Sequence, residues 1–404
     1  MINVDATRIS FKGKIIDSHT HVGHWDKPNN LPYTLADVFQ VTNTAKSNGD
    51  NVEKIIVSTL ECIKTTPDGN PLMNEIKGNL RLLEECANYP KAFPIAVCQP
   101  KTGSVKNIIN LFKNHPGKFI GLKFHPDNHK LIASDDKYKP YLKFAQEHNL
   151  PCVFHCGINL SPGFEDFVEQ SKRYSNPEEI YKIARNFPNV PVIMAHMGAG
   201  GSKVHEKTVN TLLNAIENGD ANLYADISWV NINTFDGNKN DIIYAIKRLK
   251  NTSKGDHIER LLFGSDAPIA EYSRDFNTYP KFIREVKNAI KNDSELASEA
   301  DDIIDKIFYK NANKLFFKNK NLKRQKNTTK TIIEAKDSLK HSKVSNILPF
   351  ILAGVGILSF ILFLINKSPK NLNPVVITKN NASIPLYYSY RNKPYVFEKF
   401  NKIP

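Results

Sequence analysis

Residues 15–23 read IIDSHTHVG: a β-branched apolar start, two histidines one residue apart, and a closing glycine. Side chains alternate between the two faces of an extended strand, so His19 and His21 turn to the same side, about 7 Å apart along the backbone. The run predicts a strand over residues 14–19 that ends on two imidazoles. Seven similar runs follow, at 53–59, 93–98, 119–124, 151–155, 192–196, 222–227 and 260–264. Helix-like stretches separate them at 79–89, 105–113, 139–148, 178–186, 204–218, 240–250 and 275–291, and a closing pair spans 300–309 and 311–317. Alternating strands and helices belong to a parallel sheet, and eight such units over residues 1–317 predict an α/β fold of the (β/α)8 TIM barrel type. An open doubly wound sheet is the structural alternative. No GxGxxG or GxxxxGK[ST] follows a strand, which argues against a dinucleotide or P-loop site.

A lone HxH is weak evidence, because the chain has 12 histidines. Recurrence at strand ends changes its weight. His155 closes the fifth strand in PCVFHCG, His196 closes the sixth in VIMAHMG, and Asp266 follows the eighth in LLFGSDAP. A barrel gathers its strand ends around one mouth, so these side chains form a set suited to a catalytic divalent metal with an open position.

In order along the chain, IIDSHTHVG, GLKFHP, PCVFHCG, VIMAHMG, LLFGSDAP and the closing IFYKNANKLF resemble the blocks of the amidohydrolase superfamily, and within it the amidohydrolase-related metal-dependent hydrolases. The resemblance covers residues 14–317. It implies that His19, His21, His155 and Asp266 are metal ligands, and that His196 binds a second metal or holds the reacting water and the substrate oxygen. Lys123, at the end of the fourth strand and on the same face as His125, has two readings. A protonated lysine has no lone pair and repels a metal, so it becomes a ligand only as a carbamate, as in dihydroorotase-like members with a similar KxxP setting. With a single metal it stays cationic and can anchor a substrate carboxylate. One ion, Zn2+ by preference, is favoured over two.

The expected reaction is hydrolysis of an amide, ester or lactone in a small-molecule substrate by a metal-activated water. Asp266 takes the proton of that water, and His196 orients the water or polarises the carbonyl. Decarboxylases and hydratases share this branch and form the alternative within it. A catalytically inactive, membrane-tethered binding barrel is the alternative from another class. Asp17 reads as an acceptor for an imidazole N–H or as a carboxylate bonded to backbone. Cys152 and Cys156 have the opposite parity to His155 and should face the helices as core. His24, Trp25, His125, Arg173, Trp229 and Tyr272 fall on or near predicted βα loops, with Lys123, His125 and Arg173 as candidate substrate contacts.

The net charge of +14 would suggest an anionic partner, but its distribution decides otherwise. From Lys318 onward there are 16 basic and 3 acidic residues, against 39 and 38 before it. The catalytic region is thus nearly neutral, and nucleic acid is not expected as a partner. Residues 347–365, ILPFILAGVGILSFILFLI, carry no charge, and a helix of that length spans about 28 Å, close to a bilayer core. The sequence therefore predicts a basic linker over 318–346, a transmembrane helix over 347–365 and a basic tail over 366–404. Five cysteines without a CxxC pair and an N-terminus without a secretory signal point to reduced thiols and a cytoplasm-facing catalytic domain on a single-pass membrane protein.

Overall fold

The computed structural model describes residues 13–24, 32–66, 69–158, 172–199, 202–228, 240–269 and 278–318. The chain divides into two units, Met1–Ile332 and Ile333–Pro404, and everything described belongs to the first. None of the described helices is long and apolar enough to cross a membrane. The expected span at 347–365 and tail at 366–404, like Trp25, Trp229 and Tyr272, lie outside the described residues, as does the linker beyond Lys318.

All strand pairs are parallel. β1 (Lys14–Val22) pairs with β2 (Asn51–Thr59), and β2 with β3 (Ala92–Pro94). A six-stranded run follows in chain order: β4 (Ala96–Val97), β5 (Leu122–Phe124), β6 (Cys152–Phe154), β7 (Val192–Met194), β8 (Leu223–Asp226) and β9 (Leu261–Leu262). β3 and β4 are one stave interrupted at Ile95. The N–H of Ile95 donates to Val57 O at 2.9 Å and that of Ala96 to Gly121 O at 2.9 Å, so pairing passes across the stave from one neighbour to the other. The single strand expected over 93–98 is thus divided beside Pro94, which has no N–H to give a ladder. Closure comes from β1 and the segment after β9: Ser18 N donates to Phe263 O at 3.0 Å, Asp266 N to His19 O at 2.8 Å, and His21 N to Ala267 O at 2.8 Å. Eight parallel staves therefore form a closed barrel, as expected.

Parallel strands need crossover helices, and polar caps start them. Thr34 and Asp37 form a capping box on α1 (Leu35–Asn43), Asn74 caps α2 (Glu75–Cys86) and Ser104 caps α3 (Val105–Asn114). The remaining helices are α4 (Lys139–His148), α5 (Pro177–Arg185), α6 (Ser202–Asn218), α7 (Asn240–Lys250), α8 (Thr278–Asn292) and α9 (Ala300–Asp305). After α9 the expected closing pair runs on as alternating π and α turns to Lys318.

Period-two alternation sorts the strands between two cores. Ile15, Ile55, Cys152, Val192 and Leu261 face the helices, while their neighbours Ile16, Ile56, Val153, Ile193 and Leu262 face the barrel interior. Tyr309, Ala312, Leu315 and Phe316 pack against this interior layer. Both faces are buried, as parallel strands require. Cys152 and Cys156 lie in the helix-facing core as free thiols, and burial pushes the Cys156 thiol up to about 12.

Candidate metal centre

The alternation of β1 is broken once, and that break builds the site. Asp17 is opposite Ile55 and Thr20 opposite Val57, so β1 spends one residue more than β2 over the same span. Such a bulge reverses the parity beyond it. His19 and His21 consequently share the interior with Ile16, and Asp17 is turned away from them. Asp17 is no acceptor for an imidazole: its carboxylate takes the backbone N–H of His19 (3.2 Å) and Ser265 (3.1 Å) and the hydroxyls of Ser265 (2.6 Å) and Tyr279 (3.0 Å). It ties the end of β1 to the segment that carries Asp266.

Each imidazole of the pair is held through Nδ1. His19 Nδ1 lies 3.0 Å from Asp226 Oδ2, and His21 Nδ1 lies 2.9 Å from Ser58 Oγ. Partners of this kind fix ring orientation and leave the opposite nitrogen for a ligand. The two Nε2 atoms meet at 3.1 Å, and Asp266 Oδ1 joins them at 3.0 Å from His21 Nε2 and 3.5 Å from His19 Nε2. Lys123 Nζ stands 2.9 Å from His19 Nε2. Asp266 has φ 63°, a left-handed turn that breaks the strand direction and brings its side chain back over the mouth. Gly264 leaves room behind: a Cβ there would come within 2.8 Å of His19 Cβ.

His155 stands one step away. It belongs to neither histidine–carboxylate group built on His19; its Nδ1 lies 3.2 Å from His196 Nε2. His196 falls after β7 rather than within it, in a left-handed conformation at φ 62°. Its ring is placed by Ser228 Oγ, 2.8 Å from Nδ1, and its backbone N–H donates to Asp226 Oδ1 at 3.0 Å. Asp226 also accepts from Ser228 N (3.1 Å) and from Ser228 Oγ. One buried carboxylate thereby orients both His19 and His196. His125 stacks on His155, with ring centroids 4.1 Å apart, and its Nδ1 lies 2.7 Å from Asp127 Oδ1.

Burial sets the charges. It lowers His21 to about 4 and His196 well below the usual histidine range, so both stay neutral near pH 7. Burial also pushes the Asp266 and Asp226 carboxyls up, but neighbouring imidazoles outweigh it and hold both well below the usual carboxylate range. Lys123 is brought down by burial to about 8, partly restored by Asp226, Asp266 and Asp127. Counting only acids and the ammonium, Asp127, Asp226 and Asp266 outnumber Lys123 by two charges in a buried mouth. A divalent cation balances that excess. Imidazole nitrogens and a carboxylate converging on one point are a donor set that fits such an ion.

Other expected residues lie elsewhere. Arg173 is exposed, its guanidinium 5.6 Å from the Tyr174 ring centroid, and His24 pairs with Glu61 at 2.6 Å. Asp226, Ser58, Ser228 and Asp127 were not singled out from sequence. Asp226 had the available signal: it is a polar residue one position before the end of a predicted strand, and the last residue of β8.

The family profile described as Amidohydrolase matches residues 71–318, more than half of the chain, starting beyond the His19–His21 block. The comparison with curated protein sequences gives no match. Among solved structures, the chain resembles 5-carboxyvanillate decarboxylase from Novosphingobium aromaticivorans, complexed with manganese and 4-hydroxy-3-methoxy-5-nitrobenzoic acid. Identity is 12%, coverage 76% of this chain and 96% of the other, and the TM-score 0.50. It also resembles an amidohydrolase from Burkholderia multivorans with bound zinc, at 11% identity, 75% and 98% coverage and a TM-score of 0.50. At such identities the structural likeness speaks for the fold. The family match carries the assignment: the chain belongs to the amidohydrolase family and is an enzyme.

Proposed function

We propose that the chain is a metal-dependent hydrolase acting on an amide, ester or lactone of a small-molecule substrate. The observation that carries the reading is the convergence of His19 Nε2, His21 Nε2 and Asp266 Oδ1. These three would hold one divalent cation, Zn2+ by preference, with His155 and His196 beside it; the manganese and zinc of the two similar structures support an ion of this class. When bound, the ion supplies Lewis acidity and brings the pKa of a water toward neutrality. Asp266, kept ionised, accepts the proton of the attacking water and returns it to the leaving group. His196, neutral and held by Ser228, directs the water and the substrate oxygen. Lys123, a buried ammonium, counters negative charge on the substrate.

The test is a screen of the full chain loaded with Zn2+ against esters, lactones and amides, with CO2 release measured in parallel on aromatic carboxylates. Hydrolysis abolished by a chelator is expected. Release of CO2 without hydrolysis would replace this reading by decarboxylation, the activity named for the N. aromaticivorans protein.

We also propose that residues 347–365 anchor the enzyme in a bilayer, because the stretch is uncharged over 19 residues, and that the barrel lies on the cytoplasmic side, because its five cysteines form no CxxC pair and suit a reducing compartment. Carbonate extraction of membranes should leave the full chain in the pellet. Its complete release would remove the anchor.

A further inference from the structure

The staves all run the same way, so their first residues and the turns leading into them share one face of the barrel, opposite the mouth. The last described turns of the chain close that face. Tyr309, Ala312, Leu315 and Phe316 pack against the interior layer, and Phe317 lies edge-on to Phe93 with ring centroids 4.8 Å apart. Lys54, in the first half of β2, pins the same segment: its Nζ is 4.4 Å from the Phe317 ring centroid and donates to Asn313 Oδ1 at 3.1 Å. The described barrel therefore ends at Lys318 under β2 and β3, on the far side from His19 and Asp266.

Four lysines surround that end. Lys91 and Lys118 lead into neighbouring staves: Lys91 O accepts from Ile55 N at 2.9 Å, and Ile120, two residues after Lys118, donates its N–H to Pro94 O at 2.9 Å. Lys314 and Lys318 lie on either side of the half-buried Phe317. All four lysines are exposed, and no carboxylate of the described residues lies within ion-pair distance of any of them. Acids of the same face are paired with other lysines: Glu53 with Lys14 at 2.9 Å, Asp50 with Lys287, Asp302 with Lys306 at 3.0 Å and Asp305 with Lys310 at 3.5 Å. Like charges gathered on one face repel one another, and a surface of opposite sign relieves that repulsion.

We propose that this face of the barrel docks on an anionic bilayer, with Lys91, Lys118, Lys314 and Lys318 against the lipid phosphates and the mouth turned to water. The chain itself argues for lipid rather than another anion. From Lys318 to the end it carries 16 basic and 3 acidic residues, and it reaches the uncharged stretch at 347–365. Basic residues close to a bilayer are drawn to anionic headgroups. The inference rests on the proposed anchor only in taking a bilayer to be within reach of Lys318. Its consequence concerns the substrate: with the mouth on the far side, the substrate comes from solution and not from the lipid phase.

Acylation of lysines by a water-soluble reagent, read residue by residue by mass spectrometry, tests it. The full chain is compared on vesicles of phosphatidylcholine alone and of phosphatidylcholine mixed with phosphatidylglycerol. At low salt the anionic vesicles should slow acylation of the four lysines several-fold, and high salt should restore it, because exposed charges are screened. Lys77 and Lys106, exposed in the first turns of α2 and α3 and so at the mouth end, should react equally on both. In the Lys118→Glu, Lys314→Glu double variant the slowing at Lys91 and Lys318 should disappear; circular dichroism checks its fold, and the salt comparison stands without it. Equal acylation of the four lysines on both vesicles, slowing that survives high salt, or slowing at Lys77 and Lys106 instead overturns the proposal. The anchor fails separately. Slowing in a chain that carbonate releases keeps the docking face and removes the span, whereas equal acylation in a chain that carbonate leaves in the pellet removes the face and keeps the span.

Discussion

The same staves are built differently at two heights. In mid-barrel their inward residues are Ile16, Ile56, Val153, Ile193 and Leu262, apolar and close-packed against Tyr309 and Phe316. One turn of alternation nearer the carboxyl ends, the inward residues are His21, Lys123, His155 and Asp266, all buried and all polar. The lower layer lowers its free energy simply by leaving water. The upper layer gains only if its donors find partners, and its partners are one another and the cation they fit. Stability and chemistry are therefore separable by height within single strands, and substitutions at the two levels should fail in different ways.

The largest effect is expected in the upper layer. His19→Ala and Asp266→Asn should each reduce turnover to background while circular dichroism stays that of the folded barrel; full activity in either would break the contrast. Next comes the carboxylate that orients two imidazoles. Asp226→Asn should weaken metal binding by about 10–100-fold, the usual cost of losing a partner behind a metal ligand, as read by competition with a chromophoric chelator. In the lower layer, Ile193→Ala should cost about 2–5 kcal/mol in urea unfolding yet leave turnover per folded molecule close to normal. A large loss of turnover there would mean the two heights are not independent.

A smaller effect concerns pH. Burial holds His21, His125 and His129 down at about 4, 3 and 4, against about 6.5 for an unfolded histidine. Between pH 6.5 and 4 the unfolded chain binds protons that the folded one does not, so the metal-free protein should lose stability as pH falls through that window. His129→Gln, which removes the imidazole whose Nε2–H donates to Cys62 O at 3.1 Å, should make the decline shallower. An unchanged slope would remove His129 from the account.

Much of this was legible in the sequence because it depends on period two alone. Parity placed Lys123, His125 and His155 inward and Cys152 and Cys156 outward, and recurrence of polar residues at strand ends marked the mouth. The bulge in β1 was not legible. It is a matter of pairing count against β2, and nothing local in IIDSHTHVG announces that Asp17 and His19 part company. The partners Asp226, Ser58 and Asp127 were missed for a related reason. Asp226 is 207 residues from the His19 it orients, and such a contact exists only once the barrel closes. His196 and Asp266 were found as residues but not as conformations, since their left-handed turns follow from the strands ending earlier than the apolar runs suggest.

Crystals of the zinc-loaded chain, measured at the zinc absorption edge, test the central claim most directly. The account predicts an anomalous peak at coordination distance, about 2.0–2.2 Å, from His19 Nε2, His21 Nε2 and Asp266. A zinc-loaded crystal with no peak at that point, or with those three side chains turned apart, would contradict it.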